Sequence, residues 1–458
     1  MTEQRILSAD EKQKRQKQRE QRREQRREQR REQRQEQRQE QQQEQQGEQG
    51  EQEQQKGQDG SGRKTAQRTM TLACLLVFMA QMATTIYLPS LPIVAHDFGM
   101  SRSYAALSIS VFVIGAAAPV ILWGVAADRY GRRGPLLASL ALFVLTSVLI
   151  AVFRSPEALL VLRAFQGIGA GGSAIIARIL VRDRWSGDEL ARRLSVLSIA
   201  FITAMGGGQF LGGLIGRYAH WETGFVVLAA VGSVAAALTF TVPFESGRAV
   251  QRPAEVLRIC LTISRQPAFL LPALAGGAGF ATIVMLQEVS PFVFQQHFGL
   301  ATDTYGSLGL LLGAAYFAGA MTVNRRVART GAGRLMTAGS VIMTASGVLM
   351  IVLWSLDGLP STVALVAFVA LYCVTTFGQS VLFPNSMATA VSSRPGHGAY
   401  AVSLCGFLQQ SMAGVAAASA ALLHRDLAWA GVAAALGAAA WLLTRVATTR
   451  VAAPSEGK

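Results

Sequence analysis

Beyond residue 68 this sequence has little charge, and chemistry that needs clustered ionisable side chains is largely excluded with it. Of 43 Lys and Arg, 18 fall in the first 68 residues, leaving 25; of 28 Asp and Glu, 14 do so, leaving 14. The four cysteines, Cys74, Cys260, Cys373 and Cys405, form no CxxC pair, so neither a disulfide framework nor a zinc site is indicated. The five histidines fall mostly near the ends of apolar runs. No Ser/His/Asp constellation, metal-ligand cluster or Walker loop is present, so the sequence predicts no enzyme, no cofactor and no metal. A cleavable signal is also not expected, because the opening polar tract is too long for an n-region and the first apolar run exceeds an h-region.

What is present divides sharply at residue 68. Residues 1–68 repeat a Glu-Gln-Arg-Arg tetrad, with Glu at every fourth position from 20 to 48. Without an apolar seam they cannot form a coiled coil, and they are expected to be a disordered or transiently helical cytoplasmic tail. Contact with acidic phospholipid or RNA through Arg22, Arg23, Arg26 and Arg27 is the alternative for the tail; no nucleic-acid binding is expected of the body. From residue 69 apolar runs of about 20 to 25 residues alternate with short polar breaks, each long enough to cross a hydrocarbon core of about 30 Å. Twelve are counted, near 69–93, 104–126, 135–153, 158–180, 195–217, 223–243, 269–292, 303–323, 335–355, 361–387, 398–422 and 428–446.

Lys and Arg set the expected orientation, since loops rich in them stay in the cytoplasm. With the tail inside, the inner loops and C-terminus collect 20 basic residues, the outer loops hold Arg102, Arg154, Arg217 and Arg425, and Arg163 lies within a run. Both termini are therefore expected on the cytoplasmic side of a cell inner membrane. The expected organisation is an N-terminal six-helix half over 69–243, a cytoplasmic linker over 244–268, a C-terminal half over 269–446 and a short cytoplasmic tail over 447–458. A repeated loop supports that division. Gly124 to Gly134 reads Gly-Val-Ala-Ala-Asp-Arg-Tyr-Gly-Arg-Arg-Gly, and a degraded copy runs from Arg325 to Arg334, with Ala328 where Asp128 stands.

Twelve runs, a six-plus-six split and a Gly-x-x-x-Asp-Arg-x-Gly-Arg-Arg loop between runs 2 and 3 resemble the major facilitator superfamily. Residues 70 to about 425 are similar to its bicyclomycin and chloramphenicol exporter group of drug:proton antiporters. That closer resemblance is carried by Tyr87-Leu88-Pro89-Ser90-Leu91-Pro92, Arg163-Ala164-Phe165-Gln166-Gly167, Ser290-Pro291-Phe292, Phe383 to Ala388, and Ala401 to Gln410. It implies an all-α membrane protein of twelve helices in two six-helix halves, acting as a proton-coupled exporter of small apolar compounds by alternating access. A small molecule, protons and the lipid bilayer are its implied partners, and a monomer is expected. Alternatives are a metabolite exporter or facilitator without proton coupling, and a non-transporting sensor or scaffold.

The resemblance implies that Gly124, Asp128, Arg129, Gly131, Arg132 and Arg133 form a cytoplasmic gate that latches the halves; a static topology anchor is the plainer reading. Arg163, a cation inside an apolar run, marks function or a partner unless it snorkels to the outer interface. In the family such an arginine works near a helix 1 carboxylate, but Thr85 stands at that position here and cannot titrate. Glu288 is the one acid clearly within a run. It is read either as a hydrated interfacial carboxylate or as a cavity group that pairs with Arg163 and couples protons. Gln81, Thr84, Thr85, Tyr87, Gln166, Gln209, Tyr316, Gln379, Asn385 and Gln409 are candidates for the substrate cavity, some of which will only bridge helices. An uncompensated Arg163 predicts a bias toward neutral or anionic substrates. Gly167, Gly169 and Gly172 fit GxGxxG, yet inside an apolar run they indicate helix packing. Gly208, Gly212 and Gly216 predict a second close-packing face and resemble the family's antiporter motif, with Gln209 where its proline is expected.

Overall fold

The computed structural model describes residues 63–185, 187–244, 253–356, 358–392, 398–421 and 428–452. The Gln-rich tail before residue 63, part of the linker and the last six residues lie outside them, as do Arg22, Arg23, Arg26 and Arg27. The chain divides into two units, Met1–Gln67 and Arg68–Lys458; of the first, only residues 63–67 are described, and they are helical.

The described residues form twelve long helices and no strand, all in the second unit apart from residues 63–67. They are α1 (Arg63–Asp97), α2 (Arg102–Tyr130), α3 (Arg133–Val152), α4 (Pro156–Arg184), α5 (Gly187–Tyr218), α6 (Glu222–Thr239), α7 (Pro267–His297), α8 (Thr302–Thr330), α9 (Ala332–Ser355), α10 (Ser361–Ser392), α11 (Gly398–Ala421) and α12 (Ala428–Ala452). All but α11 pass a length and hydropathy test for a membrane span. Each expected run falls on one of these helices, and several helices extend beyond it into polar sequence. Short loops make consecutive helices antiparallel, so the start of α1 and the end of α12 share one end of the bundle, here the terminal end; the other is the distal end. A shorter helix, Pro253–Ser264, occupies part of the expected linker.

Proline bends the helices that meet at the centre. Removing a backbone N–H and crowding the preceding turn kinks a helix. In α1 the α-helix gives way to a 3-10 turn at Leu88–Ser90, beside Pro89 and Pro92. In α2 it is interrupted at Ala118-Pro119. Pro291 precedes a π turn, Val293–His297, at the distal end of α7.

Missing side chains let the helices approach. A Cβ at Gly169 would lie 2.7 Å from the Ser139 carbonyl oxygen of α3, and Gly167 meets the carbonyl of Phe112 on α2. The GxGxxG run is thus a packing face, as expected. On α5, Gly208 and Gly212 meet Thr85 and Ile86 of α1, while Gly216 meets Thr302 of α8 at 2.8 Å and Ser90 of α1 at 3.1 Å. A second small face not anticipated from the sequence faces α8: a Cβ at Gly206 would lie 2.9 Å from Gly309 O, and one at Gly213 2.7 Å from Gly306 Cα. These contacts lie toward the distal end of α5 and the start of α8, where the two halves are closed together.

Candidate functional site

The charged loop forms a compact network inside the first half. Gly131 ends α2 with φ 81° and ψ 162°, a conformation that essentially only glycine adopts. The sharp turn brings Arg132 back under α2, where it is buried. Its Nη1 donates to Asp128 Oδ1 at 2.6 Å and to Ala127 O at 2.7 Å, and its Nε donates to Asp183 Oδ2 at 2.9 Å. Burial pulls the Arg132 guanidinium down, but the hydrogen bonds and charges of Asp183 and Asp128 outweigh it and hold it above its ordinary range. Arg129 and Arg133 are exposed, the latter 4.7 Å above the Phe240 ring.

Three expectations change here. Asp183, in the last turn of α4, was missed; its signal was a single acid between Arg182 and Arg184 at a basic end. The latch expected between the halves runs, among the described residues, within the first half only, because α4 supplies the second acid. At this end the cross-half contact is apolar: Ile121 and Val125 of α2 pack on a cluster containing Phe269, Ala401, Leu404 and Cys405, together with Cys260 and Ile263 of the shorter helix. Finally, Gly124, expected as part of the gate, stands clear of its neighbours, since a Cβ there would meet nothing within 4 Å.

Arg163 does not snorkel; it is fully buried in the first half. No carboxylate accompanies it among the described residues. Nη1 donates to Gln166 Oε1 at 2.6 Å and to Ala83 O at 3.1 Å, Nε donates to Ser108 O at 3.4 Å, and Nη2 has no partner. The rings of Phe112, Tyr87 and Phe225 surround the guanidinium at 4.2, 5.1 and 5.8 Å, so dipoles and ring faces stand in for a counter-ion. Gln166 passes the network on to Ser147 at 2.7 Å, and the Tyr87 and Ser108 hydroxyls lie 3.2 Å apart. Thr85 takes no part: it donates to Ala204 O of α5 at 2.9 Å.

Glu288 is neither interfacial nor paired with Arg163. It is 1% exposed, Oε1 accepts from the Ser110 hydroxyl of α2, and Oε2 has no partner. The reason lies in α2, which stands between acid and cation. Ser108 and Ser110 are two residues apart, so their side chains diverge by about 200° around the helix: Ser108 meets α1 and α4, Ser110 meets α7. Two residues further along α7, the Ser290 and Tyr305 hydroxyls lie 2.7 Å apart.

Several cavity candidates are occupied in bridging. Thr85, Tyr87 and Gln166 bond between helices of the first half, and Gln209 Nε2 donates across the halves to Tyr305 O at 3.2 Å. Asn385 donates to Val381 O of its own helix at 2.7 Å. Gln379 and Gln409 are buried, and each keeps a side-chain oxygen without a partner. Gln81 and Tyr316 are partly exposed, the latter 6.1 Å from the Phe201 ring, and Thr84 is buried. Gln295, which the sequence did not single out, reaches from α7 to Pro89 O of α1 at 2.8 Å.

The sequence model of the Major Facilitator Superfamily matches residues 73–418. A curated "Bicyclomycin resistance protein homolog" of Haemophilus influenzae is 24% identical over 360 residues, covering 77% of this chain and 89% of the relative. "Multidrug resistance protein D" of Escherichia coli is 26% identical over 364 residues, covering 77% and 88%. Among solved structures, a D-xylose-proton symporter superposes with a TM-score of 0.68 at 17% identity, over 83% of this chain and 96% of that one.

Proposed function

This chain belongs to the Major Facilitator Superfamily, and from that premise we propose that it exports small, largely apolar compounds, driven by the proton gradient, with Glu288 as the coupling acid. Relatives named for bicyclomycin and multidrug resistance support the substrate class. One observation carries the coupling: the carboxyl of Glu288 is sealed at the seam between the two halves, bonded across it, and unpaired with any cation. Ionising an acid so placed costs far less once the seam opens and water reaches it. Twenty basic residues against four put the terminal end in the cytoplasm, so the closed distal seam faces outward and the Asp128–Arg132–Asp183 network braces the cytoplasmic side of the first half. The halves divide at the linker over 244–268, and the partnerless amide oxygens of Gln379 and Gln409, with Gln81, Thr84 and Tyr316, line the substrate path.

A second reading, a facilitator without proton coupling, is favoured by one residue, since Thr85 is sealed against α5 where the resemblance places an acid. Vesicles reconstituted with the full chain separate the two. Accumulation of a neutral hydrophobic dye that follows an imposed proton gradient supports coupled export, whereas equilibration at the same rate with and without the gradient supports the facilitator.

A further inference from the structure

We infer that Ser110 is a positioning residue for Glu288, and that their bond between the halves sets when the acid exchanges its proton; this rests on the reading of Glu288 as the coupling acid. Three side-chain hydrogen bonds described at the distal seam join the halves: Ser110 to Glu288, Gln209 to Tyr305 O, and Gln295 to Pro89 O. The last two run from neutral amides to carbonyls and do not respond to pH. Only the first ends on a titratable group.

A serine hydroxyl suits this place for two reasons. It donates to a carboxylate and accepts from a carboxylic acid, so the tie holds in both protonation states while α2 and α7 stay together. It can also turn back on its own helix, as Ser108 does in donating to Ala105 O at 2.6 Å, so releasing Glu288 leaves no buried donor unsatisfied. Among the described residues Glu288 forms no ion pair. Of the ionisable side chains on the helices packed against α7, Tyr87 bonds Ser108 and lies against Arg163, Tyr372 packs with Phe368, Cys74 and Cys373 pack on the apolar core, Arg445 lies over the Trp441 ring, and Cys405 sits in the apolar cluster at the terminal end. Arg163 is held on the far side of α2. Ser110 is therefore the partner whose loss the acid would register.

The test uses the full chain in vesicles, with gradient-driven export of a neutral hydrophobic dye measured over a pH series. Ser110→Thr and Ser110→Val have nearly the same shape and differ in the hydroxyl. The valine variant is expected to move the pH of half-maximal export upward by about one unit, tenfold in proton affinity, because an O–H donor favours the ionised carboxylate. Ser110→Thr is expected to keep the native midpoint. Glu288→Gln, run beside them, is expected to flatten the profile. Coincident threonine and valine profiles beside a flat Glu288→Gln profile would overturn the role of Ser110 alone. A native profile in Glu288→Gln would instead remove the coupling acid, and this inference with it.

Discussion

Two turns, one in each half, share a backbone conformation and differ in chemistry. Gly131 and Gly331 end equivalent helices with φ of 81° and 82°, yet the first loop is knotted by Asp128, Arg132 and Asp183, while in the second Ala328 replaces the acid. Arg325, Arg326, Arg329 and Arg334 are all exposed there, and none forms an ion pair among the described residues. A similar contrast holds at the centre. Thr85 and Glu288 each precede a proline, Pro89 or Pro291, by about one turn, and only the second can carry a proton. The first half instead buries a cation, Arg163. The unshared side chains give the brace at the terminal end to one half and the buried acid to the other.

The largest effects are expected where the two halves meet backbone to backbone. Gly213→Leu on α5 and Gly306→Leu on α8 each force a side chain into backbone across the seam, so each is expected to lower export by about tenfold or more. Gly207→Leu, at a glycine with nothing within 4 Å, should stay within about twofold of native; equal losses in all three, measured as vesicle export rates, would break the seam. Next comes the one-sided brace. Asp183→Asn strips a charged partner from buried Arg132 and should cost about 2–3 kcal/mol in detergent unfolding. Ala328→Asp, restoring the acid in the exposed last turn of α8, should change stability by less than about 1 kcal/mol. The smallest effect concerns substrate charge: Arg163 without a counter-ion disfavours a second cation, so a lipophilic cation should be exported about fivefold more slowly than a neutral compound of matched size, the factor that roughly 1 kcal/mol gives. Faster export of the cation would contradict this.

Much of the fold was legible because its signals are local. A run of 20 apolar residues has one stable state in lipid, with its backbone hydrogen bonds closed within a helix, and every expected run lies on a helix. The glycines of α4 and the 208/212/216 face of α5 were read from the same periodicity. The site was less legible, because its partners are distant in sequence. Ser110 lies 178 positions from Glu288, and Asp183 51 from Arg132; neither stands out by composition, since a serine in an apolar helix or an acid between two arginines is commonplace. A place near the end of an apolar run suggests a hydrated interfacial carboxylate for Glu288. That failed because α7 is covered at its distal end by α2 and by the 3-10 turn of α1. Opposite charge and a shared outer side made a pair of Glu288 and Arg163 the expectation, and α2, whose two serines point in opposite directions, keeps them apart.

The central claim is that the proton is carried by the second half, at Glu288, in place of an acid on α1. Proton movement accompanying dye export in vesicles, compared among the native chain, Glu288→Gln and Glu288→Ala, tests it most directly. Both variants are predicted to lose dye-linked proton flux, and unchanged coupled flux in both would contradict it.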